Sequence, residues 1–159
     1  MTLKGIIDED FINYKKPCMT LMFPHCTFKC GNNLCQNSAL VHEPDIRIDS
    51  YDICRRYLNN DITEAICLQG LEPLDSWDDV KELIIALHVH YDCWDDIVIY
   101  TGYTEDEIPD KIDWLSAWEN IIVKFGRYIP NQQNHFDKIL GVNLASDNQY
   151  AKKLREDKL

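Results

Sequence analysis

The sequence predicts an α/β fold built on a parallel sheet, and two observations favour it. Short apolar segments that fit strands alternate with longer segments that fit helices, which is typical of βαβ units. Residues 96–101 are almost continuously apolar, as expected of a strand that is covered on both faces. Since 159 residues is the length of one domain, we expect a single domain over residues 1–159.

Residue patterns predict the elements in chain order. Strands are predicted over residues 18–23, 62–69, 96–101 and 120–125, with a fifth over 140–144. Helices are predicted over residues 49–59, 76–91 and 146–156, with a single helical turn over 104–108. Asp49 or Ser50 is expected to cap the first helix and Ser76 the second.

Right-handed crossovers between such strands would place all their carboxyl ends at one edge of the sheet. Ligands of open α/β sheets bind at that edge. The residues that follow the first three predicted strands are therefore the place to look for a site.

The composition argues against several classes of partner and location. The net charge is −11 and the pI about 4.7, so nucleic acid and anionic membranes would be repelled. No apolar run approaches the ~18 residues that cross a bilayer, and residues 1–10 lack the apolar segment of a signal peptide. The odd count of seven cysteines argues against a disulfide scaffold. We expect a cytoplasmic protein without nucleic-acid or membrane partners.

Three of the seven cysteines lie within ten residues. Cys26, Cys30 and Cys35 form a C-x3-C-x4-C pattern on a polar loop after the first predicted strand. Soft thiolates select zinc or iron–sulfur clusters. A zinc site would need a fourth ligand, such as His25, His42 or a distant cysteine, whereas a four-iron cluster held by three cysteines leaves one iron open to a substrate or cofactor. Three unmetallated cysteines are the remaining alternative.

Two further segments follow the second and third predicted strands. The first is QGLEP at residues 69–73, where Gly70 allows close approach of backbone or ligand and Pro73 stiffens the turn. The second is YTGY at residues 100–103. Each alone is an ordinary turn, but with the cysteine loop they would meet at one edge of the sheet, which predicts a single site.

In this order, the three segments resemble radical S-adenosylmethionine proteins, most closely the activating proteins of anaerobic ribonucleotide reductase. The cysteine loop, which begins CTFKC, is similar to the three-cysteine cluster motif of that family, and QGLEP resembles its Gly-Gly-Glu-Pro turn. YTGY matches the tyrosine-rich motif of the third strand, and ASDNQ at residues 145–149 resembles a Ser-Asn-Gln stretch. The likeness extends over residues 13–151. It departs from the family in the second cysteine gap, four residues instead of two, and in Leu71 instead of glycine.

This resemblance implies a fold and a cofactor set. The fold would be a partial, open β/α barrel, since a complete barrel takes about 250 residues. Cys26, Cys30 and Cys35 would hold a 4Fe–4S cluster whose fourth iron chelates S-adenosylmethionine. The residues implied to contact this cofactor or cover the cluster are Phe28, Gly70, Leu71, Glu72, Tyr100, Gly102 and Asn148.

The resemblance also implies a reaction and two partners. A low-potential electron donor would reduce the cluster, and one electron would then cleave S-adenosylmethionine to methionine and a 5′-deoxyadenosyl radical. That radical would take hydrogen from a glycine of a large anaerobic reductase and so create its glycyl radical. Radical chemistry on another protein or a small molecule, and a non-catalytic zinc or iron–sulfur interaction module, are the alternatives.

Overall fold

The structure is a computed structural model that describes residues 1–27 and 37–156. Its strands are β1 (Thr2–Leu3), β2 (Gly5–Asp10), β3 (Cys18–Phe23), β4 (Ile46–Arg47), β5 (Ala65–Gly70), β6 (Asp96–Tyr100), β7 (Ile121–Phe125), β8 (His135–Asp137), β9 (Val142–Leu144) and β10 (Tyr150–Lys153). Its α-helices are α1 (Ser50–Leu58), α2 (Trp77–Ile85) and α3 (Pro109–Leu115). Short 3₁₀ turns lie at Ser38–His42, Pro73–Ser76 and Glu105–Glu107.

The centre of the fold is a six-stranded sheet in the order β10-β7-β6-β5-β3-β2. The four inner strands, β3, β5, β6 and β7, run parallel, while β2 and β10 pair antiparallel at the two edges. The predicted α/β class with parallel strands is confirmed for the inner four strands, and the sheet as a whole is mixed.

Alternation along the strands gives the sheet two different faces. One face packs against the helices through a large apolar cluster that includes Leu21, Leu68 and Val123. The other face carries a smaller cluster that includes Cys67 and Val98 and is covered by segments near Tyr14 and Leu144. Two residues of this second face, Tyr100 and Lys124, line a cleft at its carboxyl end.

The first two predicted helices form, with a difference in capping. Asp49 caps α1, because its carboxylate accepts a hydrogen bond from the backbone N–H of Tyr51. Ser76 precedes α2, but its buried hydroxyl has no hydrogen-bond partner, so the expected cap is wrong. The second helix also ends differently, since Ala86–His90 forms a π turn instead of a continued α-helix.

Two predictions at the C-terminal end differ from the structure. The expected helix over residues 146–156 is replaced by the strand β10, which pairs antiparallel with β7. Without β10, the fully buried β7 would end the sheet with unpaired backbone groups, which is costly. The expected fifth strand of the sheet forms in part, as β9, but it pairs with β8 in a separate hairpin. The strand β2 and the helix α3 were not predicted.

Within the described ranges, no helix is both long and apolar enough to cross a bilayer.

Candidate functional site

A cleft of about 340 Å³ opens at the carboxyl end of the parallel strands. Gln69, Tyr100 and Lys124 line it, one from each of the neighbouring strands β5, β6 and β7. Tyr100 and Lys124 are partners in the strand register. The cleft is completed by side chains from the β2–β3 connection, the Gly70 and Gly102 turns, and residues 142–145 of the hairpin.

Glu72 connects the two turns that follow β5 and β6. Its Oε1 accepts hydrogen bonds from the Thr101 hydroxyl at 2.9 Å and from the backbone N–H of Leu74 at 3.1 Å. Its Oε2 accepts from the backbone N–H of Gly102 at 2.9 Å. The side chain is only 4% exposed, and burial raises the pKa of its carboxyl to about 7 although these donors oppose the shift. One buried carboxylate therefore holds QGLEP against YTGY.

The Gly70–Glu72 turn is also bound to the start of the cysteine loop. The backbone N–H of Leu71 donates to the Phe23 carbonyl at 3.1 Å, and that of Glu72 donates to the His25 carbonyl at 2.7 Å. Cys26 is the next residue, so the first predicted metal ligand lies beside this turn.

The other predicted residues of the cluster site lie outside the described residues. Cys30, Cys35 and Phe28 all lie in the segment 28–36, which is outside the described residues. Among residues 1–27 and 37–156, no three His, Cys, Asp or Glu side chains are grouped as a metal site. The predicted cluster therefore stays a prediction.

Gly70 occupies a position that only glycine fits. Its φ is +96°, in the region that residues with a Cβ rarely adopt. A Cβ there would lie 2.4 Å from the backbone nitrogen of Phe23 and 2.8 Å from the carbonyl carbon of Met22. The Gly70 carbonyl accepts a hydrogen bond from the side chain of Asn37 at 3.1 Å, which brings a residue from beyond the cysteine loop into the cleft lining.

Both tyrosines of YTGY are fixed by hydrogen bonds. The Tyr100 hydroxyl donates to the backbone carbonyl of Asn13, and burial raises the pKa of this phenol. The Tyr103 hydroxyl donates to Asp75 at 2.6 Å, and the guanidinium of Arg127 lies 5.4 Å from the Tyr103 ring centroid. These contacts hold YTGY in place on both sides of Gly102.

Lys124 is the one charged side chain among the cleft-lining residues that the structure describes. It is 8% exposed, and its ammonium donates to the Gly126 carbonyl at 2.8 Å. Burial lowers the pKa of this amine to about 8. Close by in the lining, the buried side-chain nitrogen of Gln69 has no hydrogen-bond partner. Through Lys124 the cleft lining offers an N–H donor in a strongly acidic chain, which suits a ligand that carries acceptor oxygens.

The Ser-Asn-Gln-like stretch places a different residue at the cleft than predicted. Asn148 is exposed, and it bonds to the Arg127 carbonyl at 2.8 Å and to the Ser146 hydroxyl at 2.7 Å. Gln149, not Asn148, lines the cleft. Its side chain accepts from the backbone N–H groups of Ala145 and Ser146 at 3.0 and 3.2 Å.

The chain was also compared with known proteins. No protein-family model, no curated protein and no solved structure matches it.

Of the predicted cofactor contacts, Gly70, Leu71, Tyr100 and Gly102 line the cleft. Glu72 does not line it but bonds to the Gly102 turn, which does. Sequence reasoning missed Lys124 and the donor of Gln69. Lys124 had a visible signal, because a lysine interrupts an otherwise apolar strand at the end where ligands bind. Gln69 had none, since a glutamine at the end of a strand is unremarkable until its neighbours are known.

Proposed function

We propose that this chain is a radical S-adenosylmethionine activase that generates a glycyl radical on a large anaerobic ribonucleotide reductase. The observation that carries the proposal is the junction made by Glu72. This residue joins the turn after β5 to the turn after β6 beside Cys26, and both turns line the cleft. QGLEP and YTGY thus meet beside the start of the cysteine segment, at the edge where an α/β sheet binds ligands.

The proposal includes a fold and a location. Four parallel inner strands with helices packed on one face fit an open, partial β/α barrel. The cleft at the carboxyl edge would admit a loop of another protein. The proposed location is the cytoplasm, where thiolates for a cluster are kept reduced.

The residues present suit the proposed cofactors. The Cys26 thiol is of the soft ligand type that iron–sulfur clusters use, and we propose Cys30 and Cys35 as its companions. Gly70 leaves backbone exposed to the cleft where a Cβ would not fit. When bound, the reduced cluster supplies the electron that splits S-adenosylmethionine into methionine and a 5′-deoxyadenosyl radical.

In this proposal, the residues of the site have different roles. Glu72 holds the two turns in position and is fully engaged by its three donors. Lys124 presents an N–H donor to acceptor oxygens in the cleft. Apolar side chains of the lining, among them Leu71, Val142 and Leu144, exclude water from a reactive radical.

The decisive experiment is anaerobic reconstitution with iron and sulfide, followed by reduction and measurement of 5′-deoxyadenosine. We expect cluster formation and cleavage in the wild type and loss of both in Cys30→Ala. Cys93→Ala is the matched control, because it removes a half-buried thiol outside the cysteine loop. Full cleavage in Cys30→Ala would refute the ligand assignment.

Two further outcomes separate the alternatives. An intact cluster without cleavage of S-adenosylmethionine would refute the enzymatic proposal and favour a non-catalytic interaction module. Cleavage without a glycyl radical in the electron paramagnetic resonance spectrum of a co-purified reductase would instead indicate another substrate.

A further inference from the structure

All four tryptophans of the chain lie in one continuous line of aromatic rings that also includes His88. The ring centroids of Trp77 and Trp114 are 5.4 Å apart, and those of Trp114 and Trp118 are 5.6 Å apart. His88 then stacks on Trp118 at 4.6 Å and contacts Trp94 at 4.4 Å. Simple core packing does not require every indole of a protein to share one line.

This line crosses the helix-covered layer from one edge of the sheet to the other. Trp77 begins α2, directly after the 3₁₀ turn that Glu72 caps at the carboxyl edge. Trp94 lies just before β6, at the opposite edge, and is 50% exposed. The line therefore connects the edge that carries the cleft with solvent on the far side.

The two ends differ in charge in a way that sets a direction. The ammonium groups of Lys81 and Lys111 lie 5.7 and 5.6 Å from the ring centroid of Trp77. Cations at a ring face oppose removal of an electron from that ring, although Asp78, which pairs with Lys81 at 3.0 Å, offsets part of this effect.

At the other end, the indole N–H of Trp94 donates to the carboxylate of Asp92 at 2.8 Å. A carboxylate at this position stabilises a positive ring and can accept the indole proton. A missing electron is therefore more stable on Trp94 than on Trp77.

His88 is held firmly in the gap between Trp118 and Trp94. Its Nδ1 lies 2.8 Å from the Ile84 carbonyl and its Nε2 lies 2.8 Å from the Asn120 side-chain oxygen. The side chain is 4% exposed. This fixed ring keeps the two indoles close enough for electron transfer across it.

We propose that these rings form a relay that carries an oxidising equivalent away from the carboxyl edge of the sheet to the surface. A strongly oxidising oxygen-centred radical takes one electron from Trp77 and becomes a closed-shell anion. Trp114 then donates an electron to the oxidised Trp77, Trp118 to Trp114, and Trp94 to Trp118 across His88.

The charge is then neutralised at the exposed end. The oxidised Trp94 gives its N–H proton to Asp92 and remains as a neutral indolyl radical. An external thiol restores Trp94 by giving up a hydrogen atom, and the thiol leaves as a thiyl radical. The relay thus protects the interior at the expense of a replaceable reductant.

The test measures where oxidation accumulates. Sulfate radical anions are generated briefly by photolysis of a ruthenium polypyridyl complex with persulfate, and peptide mass spectrometry quantifies oxidation at each tryptophan. In Trp94→Phe, which removes the exposed end of the relay, we expect oxidation at the other three indoles to rise severalfold. In Trp118→Phe, which interrupts the relay between Trp114 and Trp94, oxidation should rise at Trp77 and Trp114 and fall at Trp94.

Two variants separate relay from packing. Asp92→Asn leaves the Trp94 ring in place but removes the proton acceptor, so the share of oxidation at Trp94 should fall severalfold. Tyr51→Phe is the matched control, since Tyr51 contacts His90 and Tyr91 but lies outside the line, and it should change nothing.

Unchanged oxidation at the remaining tryptophans in both Trp94→Phe and Trp118→Phe, in variants that unfold like the wild type, would overturn the relay. The experiment supplies its own radical, so its outcome does not depend on the proposed activase function.

Discussion

Replacing Gly70 by alanine tests whether close backbone approach at the end of β5 is built into the fold. The new Cβ would lie 2.4 Å from the Phe23 nitrogen and 2.8 Å from the Met22 carbonyl carbon, both of them backbone atoms of the neighbouring central strand. Neither atom can move without shifting β3, which pairs with β5 along its whole length.

Two contributions determine how far Gly70→Ala lowers the free energy of unfolding. Holding alanine at a φ of +96° costs roughly 1–2 kcal/mol, and forcing a methyl group into a packed site costs roughly 1–3 kcal/mol more. We therefore expect the free energy of unfolding to fall by about 3 kcal/mol, which lowers the melting temperature of a domain of this size by about 6–12 °C. Urea denaturation followed by circular dichroism measures this directly.

Gly5→Ala is the matched control. Gly5 has no left-handed φ, and its added Cβ would meet only the mobile end of the Met22 side chain, at 3.1 Å. This variant should lose less than about 0.5 kcal/mol, as surface changes usually do. If Gly70→Ala unfolded at the same urea concentration as Gly5→Ala, the argument from backbone contact would be refuted.

Two further predictions concern side chains that bind the turns together. Because burial raises the pKa of Glu72 to about 7, against ~4.3 for a free glutamate, the native state holds a proton that the unfolded chain releases between these values. The free energy of unfolding should therefore fall as pH rises from about 4.3 to 7, by roughly 4 kcal/mol in total. Glu72→Gln should lack this decline when urea denaturation is compared at pH 5 and pH 8. An equal decline in the variant would contradict the assignment. Gln149→Leu leaves the Ala145 and Ser146 N–H groups unpaired, so its free energy of unfolding should fall by about 2–4 kcal/mol. Asn148→Ala, at an exposed position, should lose about 1 kcal/mol. Equal losses in urea denaturation would show that burial of Gln149 does not matter.

The central strands were predictable because burial imposes a simple pattern on them. β3 and β6 were recognised from short apolar runs, and α1 from its helical spacing and the cap at Asp49. The strand β10 was mistaken for a helix because Tyr150–Lys153 has little apolar pattern of its own. It is a strand because β7 offers it an unpaired edge, and that edge is not visible in the local sequence.

Some residues of the candidate site were likewise predictable from the sequence, and others were not. Gly70 and Gly102 were found from the turns that contain them, since a glycine at the end of a strand is a local signal. Lys124 became apparent only through its place in the cleft, because Gln69 and Tyr100, which line the cleft with it, are distant in the chain.

The order and spacing of residues were sufficient to predict an α/β domain, its central strands and the edge at which three unusual segments would meet. Packing decided which side chains face the cleft, that a buried carboxylate at residue 72 joins two of those segments, and that the four tryptophans form one line. The physical reason is range: strand and helix patterns arise from neighbours within a few residues, whereas burial, pKa and ring contacts depend on partners that the folded chain brings together from distant positions.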